Sequence, residues 1–304
     1  MTAAPFPLTW LYAPGDRPHV VVKALSSGAD VVVVDLEDAV APDRKEYARA
    51  ATAELLAERQ PVPVHVRVNA VDGPLAAADL AAVVPQPGLA GLRLPKVTSA
   101  AQVLRIARRT RPAGPVPPGG CAGPPLYALL ETALAIEHAY AIAAAHPALR
   151  GVSIGESDLR ADLGVRADAG LDWARARVVV AARAAGLAPP AQSVHPDIRD
   201  LEGLAASCAH GRTLGFLGRA AIHPRQLPII ERAYLPTDRE LEEAETVVKA
   251  ATMEQGAQAL PDGRFVDAAV VAAARRTLSL ARRHRSVPRV HGECVPGAAG
   301  QTGM

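Results

Sequence analysis

The sequence predicts an α/β protein, a (β/α)₈ TIM barrel followed by a C-terminal helical extension, and three observations support this fold class. Short apolar runs alternate with Ala-rich segments of helical length from residue 9 to about residue 233. Eight such units have the number and length of a (β/α)₈ barrel. Polar or charged side chains follow nearly every apolar run, and that is where such a barrel places its active site.

The clearest strand is the run of four valines at residues 31–34. Such a run of β-branched residues predicts a strand buried on both faces, as in a parallel sheet covered by helices. Three acids follow it within four positions, namely Asp35, Glu37 and Asp38. Any one of them could simply cap the next helix. Three together at the end of a barrel strand indicate a ligand site.

Local patterns define the first four units. The strand at residues 9–13 is closed by Pro14, and Asp16 is assigned as the N-cap of the first helix. Residues 63–69 alternate like a strand, and Ser99 is assigned as the N-cap of the fourth helix. The predicted strands of these units are residues 9–13, 31–37, 63–69 and 91–97, and the helices are residues 16–28, 43–59, 74–84 and a segment from residue 99.

The last four units follow residues 111–123, whose four prolines and four glycines predict a loop. Apolar runs and Ala-rich stretches then alternate again. The predicted strands are residues 126–131, 151–155, 192–195 and 219–223, and the helices are residues 132–145, 172–185 and a segment from residue 200.

The predicted barrel comprises residues 1–233, and the segment that follows it has a different pattern. Residues 234–285 hold two helical segments separated by a turn, and they offer no strand to a closed barrel. We therefore expect a helical extension that packs on a neighbouring subunit. Residues 286–304 are rich in Gly, Pro and small side chains and predict a disordered tail.

Composition narrows the possible functions. The 33 basic and 31 acidic side chains nearly balance, so charge gives no reason to expect binding to nucleic acid or to an anionic membrane. The three cysteines lack the spacing of a zinc site or a disulfide framework, which favours a reducing, cytoplasmic location. The first residues lack a signal-peptide pattern, and no stretch reaches the roughly 20 apolar residues of a membrane span.

Polar residues at the predicted strand ends are the candidates for chemistry. Glu131 and Asp158 follow neighbouring strands, so their carboxylates can share one hard cation such as Mg²⁺. Arg67 can bind a carboxylate through two parallel hydrogen bonds. His223 also ends a strand and is a candidate for substrate binding, although a His-Pro pair more often has an ordinary backbone role. The full set at the strand ends is Tyr12, Glu37, Asp38, Arg67, Asn69, Lys96, Glu131, Glu156, Asp158, His195 and His223.

Eight ordered blocks give the sequence a family resemblance. They are TWLYAPGDRP, VVVVDLEDAVAPDRKEYAR, VHVRVNA, LPKV, ALLETA, IGESDL, GFLGRAAIHPRQ and DGRFVDAAV. In this order they resemble the citrate lyase β-subunit-like family of CoA-ester lyases, which is related to malyl-CoA and citramalyl-CoA lyases within the HpcH/HpaI aldolase superfamily. The resemblance covers about residues 8–283.

The resemblance implies a Mg²⁺-dependent barrel that acts on CoA thioesters and assembles as a trimer or a dimer of trimers. It implies that Glu131 and Asp158 are the metal ligands and that Arg67 holds the carboxylate of an α-keto or hydroxy acid. It further implies that CoA or substrate is met by Tyr12, Arg17 and Lys23.

The same resemblance gives Asp267 a role. It implies that this acid is delivered to a neighbouring subunit's site, where we expect it to be the base that removes a proton from the thioester's α-carbon. The alternative is that Asp267 only caps the last helix. The expected reaction is cleavage of a 3-hydroxyacyl-CoA, such as malyl-, citramalyl- or citryl-CoA, to an acyl-CoA and an α-keto acid, or the reverse.

Three positions depart from the family pattern. Leu8 and Leu134 stand where relatives often have arginine, and Ser157 stands where they often have an acid. Three other functions stay open: a citrate lyase β-subunit that needs an acyl-carrier protein, a binding barrel without catalysis, and a pyruvate-type class II aldolase that does not use CoA. Asp267 and the extended C-terminal segment argue against the aldolase.

Overall fold

The structure, a computed structural model, describes residues 7–111, 123–253, 258–259 and 263–286. Among these residues, those up to Tyr234 form one compact unit and those from Leu235 onward form a second. The sequence analysis placed this boundary after residue 233. Apart from residues at their edges, the predicted loop at 111–123 and the predicted tail at 286–304 lie outside the described residues.

The first unit is an α/β fold built on a curled parallel sheet. Among the described residues seven strands join in the order β6-β5-β4-β3-β2-β1-β7. They are β1 (Thr9–Pro14), β2 (Val31–Asp35), β3 (Val64–Arg67), β4 (Leu89–Leu94), β5 (Leu126–Leu130), β6 (Leu149–Ile154) and β7 (Arg219–Ala221). The α/β class and the parallel sheet are thus confirmed, while the closed eight-stranded barrel stays a prediction.

The strand predicted at residues 192–195 is wrong as a strand. It is reduced to one parallel bridge between Gln192 and Arg219. Backbone hydrogen bonds join the stretch to residues 217–220 at Pro190 and Gln192. Pro196, which has no N–H to donate, follows directly on the predicted strand.

Helices follow most strands. They are α1 (Pro18–Leu25), α2 (Lys45–Leu56), α3 (Ala76–Val83), α4 (Ala100–Arg109), α5 (Ala133–Glu137), α6 (Ala139–Ala143), α7 (Glu156–Leu163), α8 (Asp172–Ala184), α9 (Leu201–Leu214) and α10 (Leu227–Tyr234). The predicted cap Ser99 is at the N-terminus of α4. Asp200, from which a helix was predicted, is the N-cap of α9, and its Oδ1 accepts from the Gly203 backbone N–H at 2.8 Å.

Three helix predictions are corrected. Asp16 is not the N-cap of α1, because Pro18 begins that helix and Arg17 takes the cap position. The single helix predicted at residues 132–145 is two short helices that meet at His138. Helix α7 was not predicted, although it has acids in its first turn and is capped at its C-terminus by Gly164, whose φ of 64° is left-handed.

Valine-rich strands and two glycines shape the interior of the curled sheet. All five residues of β2 are buried. His65 stacks on Tyr127 with 4.6 Å between ring centres. A Cβ at Gly91 would lie 2.9 Å from both rings, and one at Gly151 would lie 3.0 Å from the Tyr127 ring. The glycines therefore make room for aromatic rings inside the sheet.

The second unit contains α11 (Asp238–Met253) and α12 (Ala268–Ser286), together with the antiparallel pair β8 (Gln258–Ala259) and β9 (Phe265–Val266). Its core is formed by Ala244, Val247, Val266 and Ala274. Packing of this unit on a neighbouring subunit stays a prediction. None of the helices in the described ranges is long and apolar enough to cross a membrane.

Candidate active site

The carboxyl ends of the parallel strands surround a cavity of about 370 Å³. Each of the seven strands described above contributes at least one lining residue. Of the residues that the sequence placed at strand ends, those lining the cavity are Tyr12, Asp38, Arg67, Glu131, Glu156 and Asp158.

Arg67, at the end of β3, is held by the acids that follow β2. Its Nε and Nη2 donate to the two carboxylate oxygens of Asp35 at 2.8 and 2.5 Å. Its Nη1 donates to Asp38 Oδ2 at 3.3 Å and lies 3.0 Å from Glu37 Oε2. Asp35 and Arg67 are register partners in the sheet, which explains the contact. The two-bond partner of Arg67 in this structure is therefore a carboxylate of its own chain.

Lys96 joins the same group of charges. Its Nζ lies 3.4 Å from Glu37 Oε1 and 4.0 Å from Asp38 Oδ1. Burial alone would lower the pKa of Lys96, but Glu37 and Asp38 raise it above its usual value. We call Asp35, Glu37, Asp38, Arg67 and Lys96 the acid cluster.

The backbone of Lys96 is also unusual. Its φ of 55° is in the left-handed region, which no other non-glycine residue of the described ranges occupies. Its backbone N–H donates to Glu131 Oε2 at 3.1 Å. A non-glycine residue in this region is strained and persists only where the surrounding structure holds it. Such residues cluster at functional sites.

Glu131 follows β5 and is buried beside the acid cluster. Burial, together with the charges of Glu37 and Asp158, raises the pKa of Glu131 to about 8. Burial also raises the pKa of Glu37 to about 7, although the charge of Arg67 opposes it. Gly155 gives the Glu131 carboxylate its space, because a Cβ there would lie 2.6 Å from Glu131 Oε1. A bound cation would keep such buried carboxyl groups ionised.

Glu156 and Asp158 lie in the first turn of α7, but their partners differ. Glu156 accepts two hydrogen bonds from the buried Arg175 of α8, at 2.9 and 2.8 Å. Arg175 also binds Asp168 and Asp172. Asp158 is exposed, and within the described ranges no hydrogen bond or ion pair ties its side chain to another residue. Asp158 is thus the acid of this turn that is available to a ligand.

The donor set fits a hard divalent cation. Five carboxylates, from the acid cluster, Glu131 and Asp158, face Arg67 and Lys96, and the cavity adds one further cation, Arg93. Both carboxylate oxygens of Glu37 are buried without a hydrogen bond, although each has an ion-pair contact, one with Arg67 and one with Lys96. No group of three or more metal-binding side chains occurs in the described parts of the chain. Mg²⁺ does not need one, because it binds through one or two carboxylates and completes its shell with water and substrate oxygens.

Comparison with known proteins places the chain in a family. Residues 8–224 match the family model described as HpcH/HpaI aldolase/citrate lyase. The chain belongs to this family.

Relatives within the HpcH/HpaI family align along nearly their full length. A "(3S)-malyl-CoA thioesterase" of Cereibacter sphaeroides is 36% identical, over 89% of this chain and 93% of the relative. An "L-malyl-CoA/beta-methylmalyl-CoA lyase" of the same species is 31% identical, over 86% and 90%. The crystal structure of CitE from Mycobacterium tuberculosis with magnesium, acetoacetate and coenzyme A is 34% identical, with a TM-score of 0.75 over 93% of this chain and 100% of that one.

The residues expected from the resemblance to meet CoA or substrate do not all lie together. Tyr12 lines the cavity, and the guanidinium carbon of Arg67 lies 5.4 Å from the centre of its ring. Arg17 and Lys23 are exposed on α1, at its N-cap and in its last turn, and neither lines the cavity. His223 is half-buried and accepts from the Arg225 backbone N–H at 3.1 Å through Nδ1.

Asp267, the expected base in this HpcH/HpaI member, lies in the second unit. It immediately precedes α12, and its Oδ1 accepts from the Val270 backbone N–H at 2.9 Å. This contact is the helix cap that the sequence analysis gave as the alternative. The transfer of Asp267 to a neighbouring site stays a prediction.

Sequence reasoning missed Gly155, Arg175 and Arg93. Gly155 was visible only as a strand end. A side chain there would collide with Glu131, which follows a different strand, and that contact cannot be seen in the local sequence. Arg175 was assigned only to the predicted helix at residues 172–185, and two of its partners, Glu156 and Asp168, lie outside that helix. Arg93 did leave a signal, since it is a charged residue between Leu92 and Leu94 in a strand that should be buried.

Proposed function

We propose that this protein is a Mg²⁺-dependent carbon–carbon lyase, or the reverse synthase, that acts on a 3-hydroxyacyl-CoA such as malyl-, citramalyl- or citryl-CoA. The products are an acyl-CoA and an α-keto acid. We also propose that the curled sheet belongs to a (β/α)₈ barrel, since every strand lines one cavity. The observation that supports the activity best is the meeting of Glu131, Asp158 and Arg67 in that cavity.

Glu131 and Asp158 would hold Mg²⁺. Glu131 is fixed by the Lys96 backbone N–H and by the space at Gly155. Asp158 is free to turn toward it, since nothing else described binds its side chain. When bound, the ion supplies charge stabilisation for the oxygen that becomes negative as the carbon–carbon bond forms or breaks.

Arg67 would supply the second stabilising charge. Asp35 holds Nε and Nη2 on one edge of the guanidinium, and this orients the group without closing it off from the cavity. A guanidinium fixed in this way would bind the keto acid carboxylate with less loss of side-chain entropy than a free one. Tyr12 lies against it and forms part of the same wall.

The CoA moiety would be held by the outer residues. Arg17 and Lys23 are exposed cations on α1, the helix that follows the cavity-lining strand β1. Exposed cations suit the phosphates of CoA, which stay near solvent while the thioester enters the cavity. His223, after β7, is proposed as a further substrate or CoA contact.

Asp267 is proposed as the base, supplied by a neighbouring subunit of a homotrimer or dimer of trimers. In the condensation direction it takes the proton from the thioester's α-carbon. That carbon then attacks the keto carbon, and the resulting alkoxide takes a proton from water. Mixing Asp267→Asn with Asp158→Asn chains under subunit exchange should regenerate activity. Activity that stays at the level of the separate mutants, despite demonstrated exchange, would refute the shared site.

Thioester hydrolysis is a second candidate, because one relative at 36% identity is named a thioesterase. The two outcomes differ in what happens to the thioester. A lyase leaves the CoA thioester of the shorter acid, whereas a thioesterase releases free CoA.

A thioester screen by mass spectrometry tests the proposal. Malyl-, citramalyl- and citryl-CoA are offered in one direction, and acetyl-CoA with glyoxylate or pyruvate in the other, with Mg²⁺ or with EDTA. We expect Mg²⁺-dependent formation of a shorter acyl-CoA, absent in Asp158→Asn. Turnover only after an acyl-carrier protein is added would indicate a citrate lyase β-subunit instead. The absence of turnover with any thioester would favour a binding barrel.

A further inference from the structure

Arg93 is the cavity-lining cation that has no carboxylate partner among the described residues. It lies on β4, its residue is only 4% exposed, and it lines the cavity. Its Nε is buried without a hydrogen bond, and within the described ranges its side chain forms neither an ion pair nor a hydrogen bond. A buried charge without a partner is costly, so the surroundings of Arg93 require an explanation.

Among the described residues, this guanidinium lies near three aromatic rings and pairs with no acid. Its central carbon lies 5.7 Å from the centre of the Trp10 ring, 5.9 Å from that of Tyr12 and 5.6 Å from that of Tyr127. We call these three rings the aromatic cage. The faces of these rings attract a cation, but the rings carry no formal charge. Their attraction offsets only part of the desolvation free energy of the buried guanidinium. The cage therefore holds Arg93 in place without neutralising it.

The other cations near the cavity already have partners. Arg67 is bound to Asp35, Lys96 lies beside Glu37, and Arg175 is bound to Glu156. A ligand anion that entered the cavity would meet Arg93 as a full charge with unused donors. Tyr12 links the two positions, since its ring faces both Arg67 at 5.4 Å and Arg93 at 5.9 Å.

We propose that Arg93 binds a second carboxylate of the substrate, so that the α-keto acid of this reaction is a dicarboxylate. The inference rests on the proposed function, in which Arg67 and the residues that would hold Mg²⁺ take the first carboxylate and the keto oxygen. The second carboxylate then lies at the other end of the short acid, against Arg93 and the Tyr12 ring. Such a site discriminates strongly, because an acid without that group leaves the buried Arg93 unpaired.

A matched pair of ligands tests this assignment. Freshly dissolved oxaloacetate and 2-oxobutyrate have the same carbon skeleton length, and they differ in a terminal carboxylate against a methyl group. Calorimetric titration with Mg²⁺ present should show that the wild type binds oxaloacetate at least tenfold more tightly. Arg93→Met should abolish this preference and change the affinity for 2-oxobutyrate less than threefold. Arg93→Lys should restore part of the preference.

Arg105→Met is the control, because Arg105 lies on α4 outside the cavity and pairs with Asp72. If Arg93→Met lost affinity for oxaloacetate and 2-oxobutyrate equally, the proposal would be overturned, since Arg93 would then bind the carboxylate that both acids carry beside the keto group. An unchanged preference, or no binding of either acid by the wild type, would overturn it too. Thioester turnover without any dicarboxylate preference refutes the role of Arg93 alone. A preference without turnover keeps that role and rejects the lyase.

Discussion

Arg67 and Arg93 are register partners on the adjacent strands β3 and β4, and both line the cavity. Arg67 touches three carboxylates of the acid cluster. Arg93 touches the three rings of the aromatic cage and no carboxylate of the described residues. Two arginines at the same level of one sheet thus have different surroundings, carboxylates for Arg67 and aromatic rings for Arg93.

The difference shows how one cavity can serve two ligand charges. In the acid cluster, carboxylates outnumber cations even after Arg67 and Lys96 are counted, so that side suits a metal ion. In the aromatic cage a single cation is held without a counter-charge, so that side suits an anion. Removing a charge should therefore have opposite consequences in the two regions.

The largest effect is expected on stability when the two arginines are compared. Arg67→Met should lower the free energy of unfolding by about 3–5 kcal/mol, because Asp35 is left buried without its partner. Arg93→Met should not lower it, because no group loses a hydrogen bond or an ion pair. Urea denaturation of the metal-free variants gives both values. Equal destabilisation would show that Arg93 has a hidden partner.

Asp158→Asn tests the metal side of the comparison. An amide is a poorer ligand for a hard cation than a carboxylate, so Mg²⁺-dependent turnover should fall by on the order of 100-fold or more while the circular dichroism spectrum is kept. Asp43→Asn is the matched control, since Asp43 is exposed and does not line the cavity. A variant that kept wild-type turnover after EDTA treatment would contradict a metal role for Asp158.

Gly155→Ala should weaken the same side indirectly. The new methyl group would collide with the Glu131 carboxylate and displace it. Misplaced metal ligands typically cost about 10–100-fold in affinity, so calorimetry should show a loss of Mg²⁺ binding in this range. Gly28→Ala, which does not touch the cavity, should lose stability because its φ of 85° strains an alanine, yet it should bind Mg²⁺ like the wild type. The same affinity in both variants would mean that Glu131 is not a ligand.

The smallest effect concerns pH and the interior near the cage. Burial, with the charge of Arg93, lowers the pKa of His65 well below 6.5, so the folded protein keeps this ring neutral. The unfolded chain binds a proton below about pH 6.5. Stability should thus be unaffected above that pH and fall below it, by up to about 1.4 kcal/mol per pH unit. His65→Phe, which can still stack on Tyr127, should reduce this slope. An unchanged slope would assign the pH dependence to other groups.

Much of the strand order and part of the site followed from local patterns. The valines of β2 predicted a buried strand, because a run of β-branched residues in an α/β protein favours a strand that is covered on both faces. Arg67, Glu131 and Asp158 were predicted to share one end of the sheet, since parallel strands bring their carboxyl ends together. The structure places all three in one cavity wall.

The rest depended on contacts between distant units. No local pattern shows that Asp35 would pair with Arg67, or that Gly155 must lack a side chain to leave room for Glu131. Each contact joins neighbouring strands, and the sequence alone does not define their register. The prolines around residues 192–195 were visible, yet the segment was predicted as a strand. The role of Arg93 depended on knowing that no acid faces it.

The most direct test is a crystal structure with Mn²⁺, which scatters anomalously and substitutes for Mg²⁺, together with oxaloacetate. The account predicts an anomalous peak within coordination distance of the carboxylates of Glu131 and Asp158, with the far carboxylate of oxaloacetate on the Arg93 guanidinium. A peak bound elsewhere, for example between Glu156 and Asp168, would contradict the metal assignment. A carboxylate of the protein itself on Arg93 would contradict the division of the cavity into a cation side and an anion side.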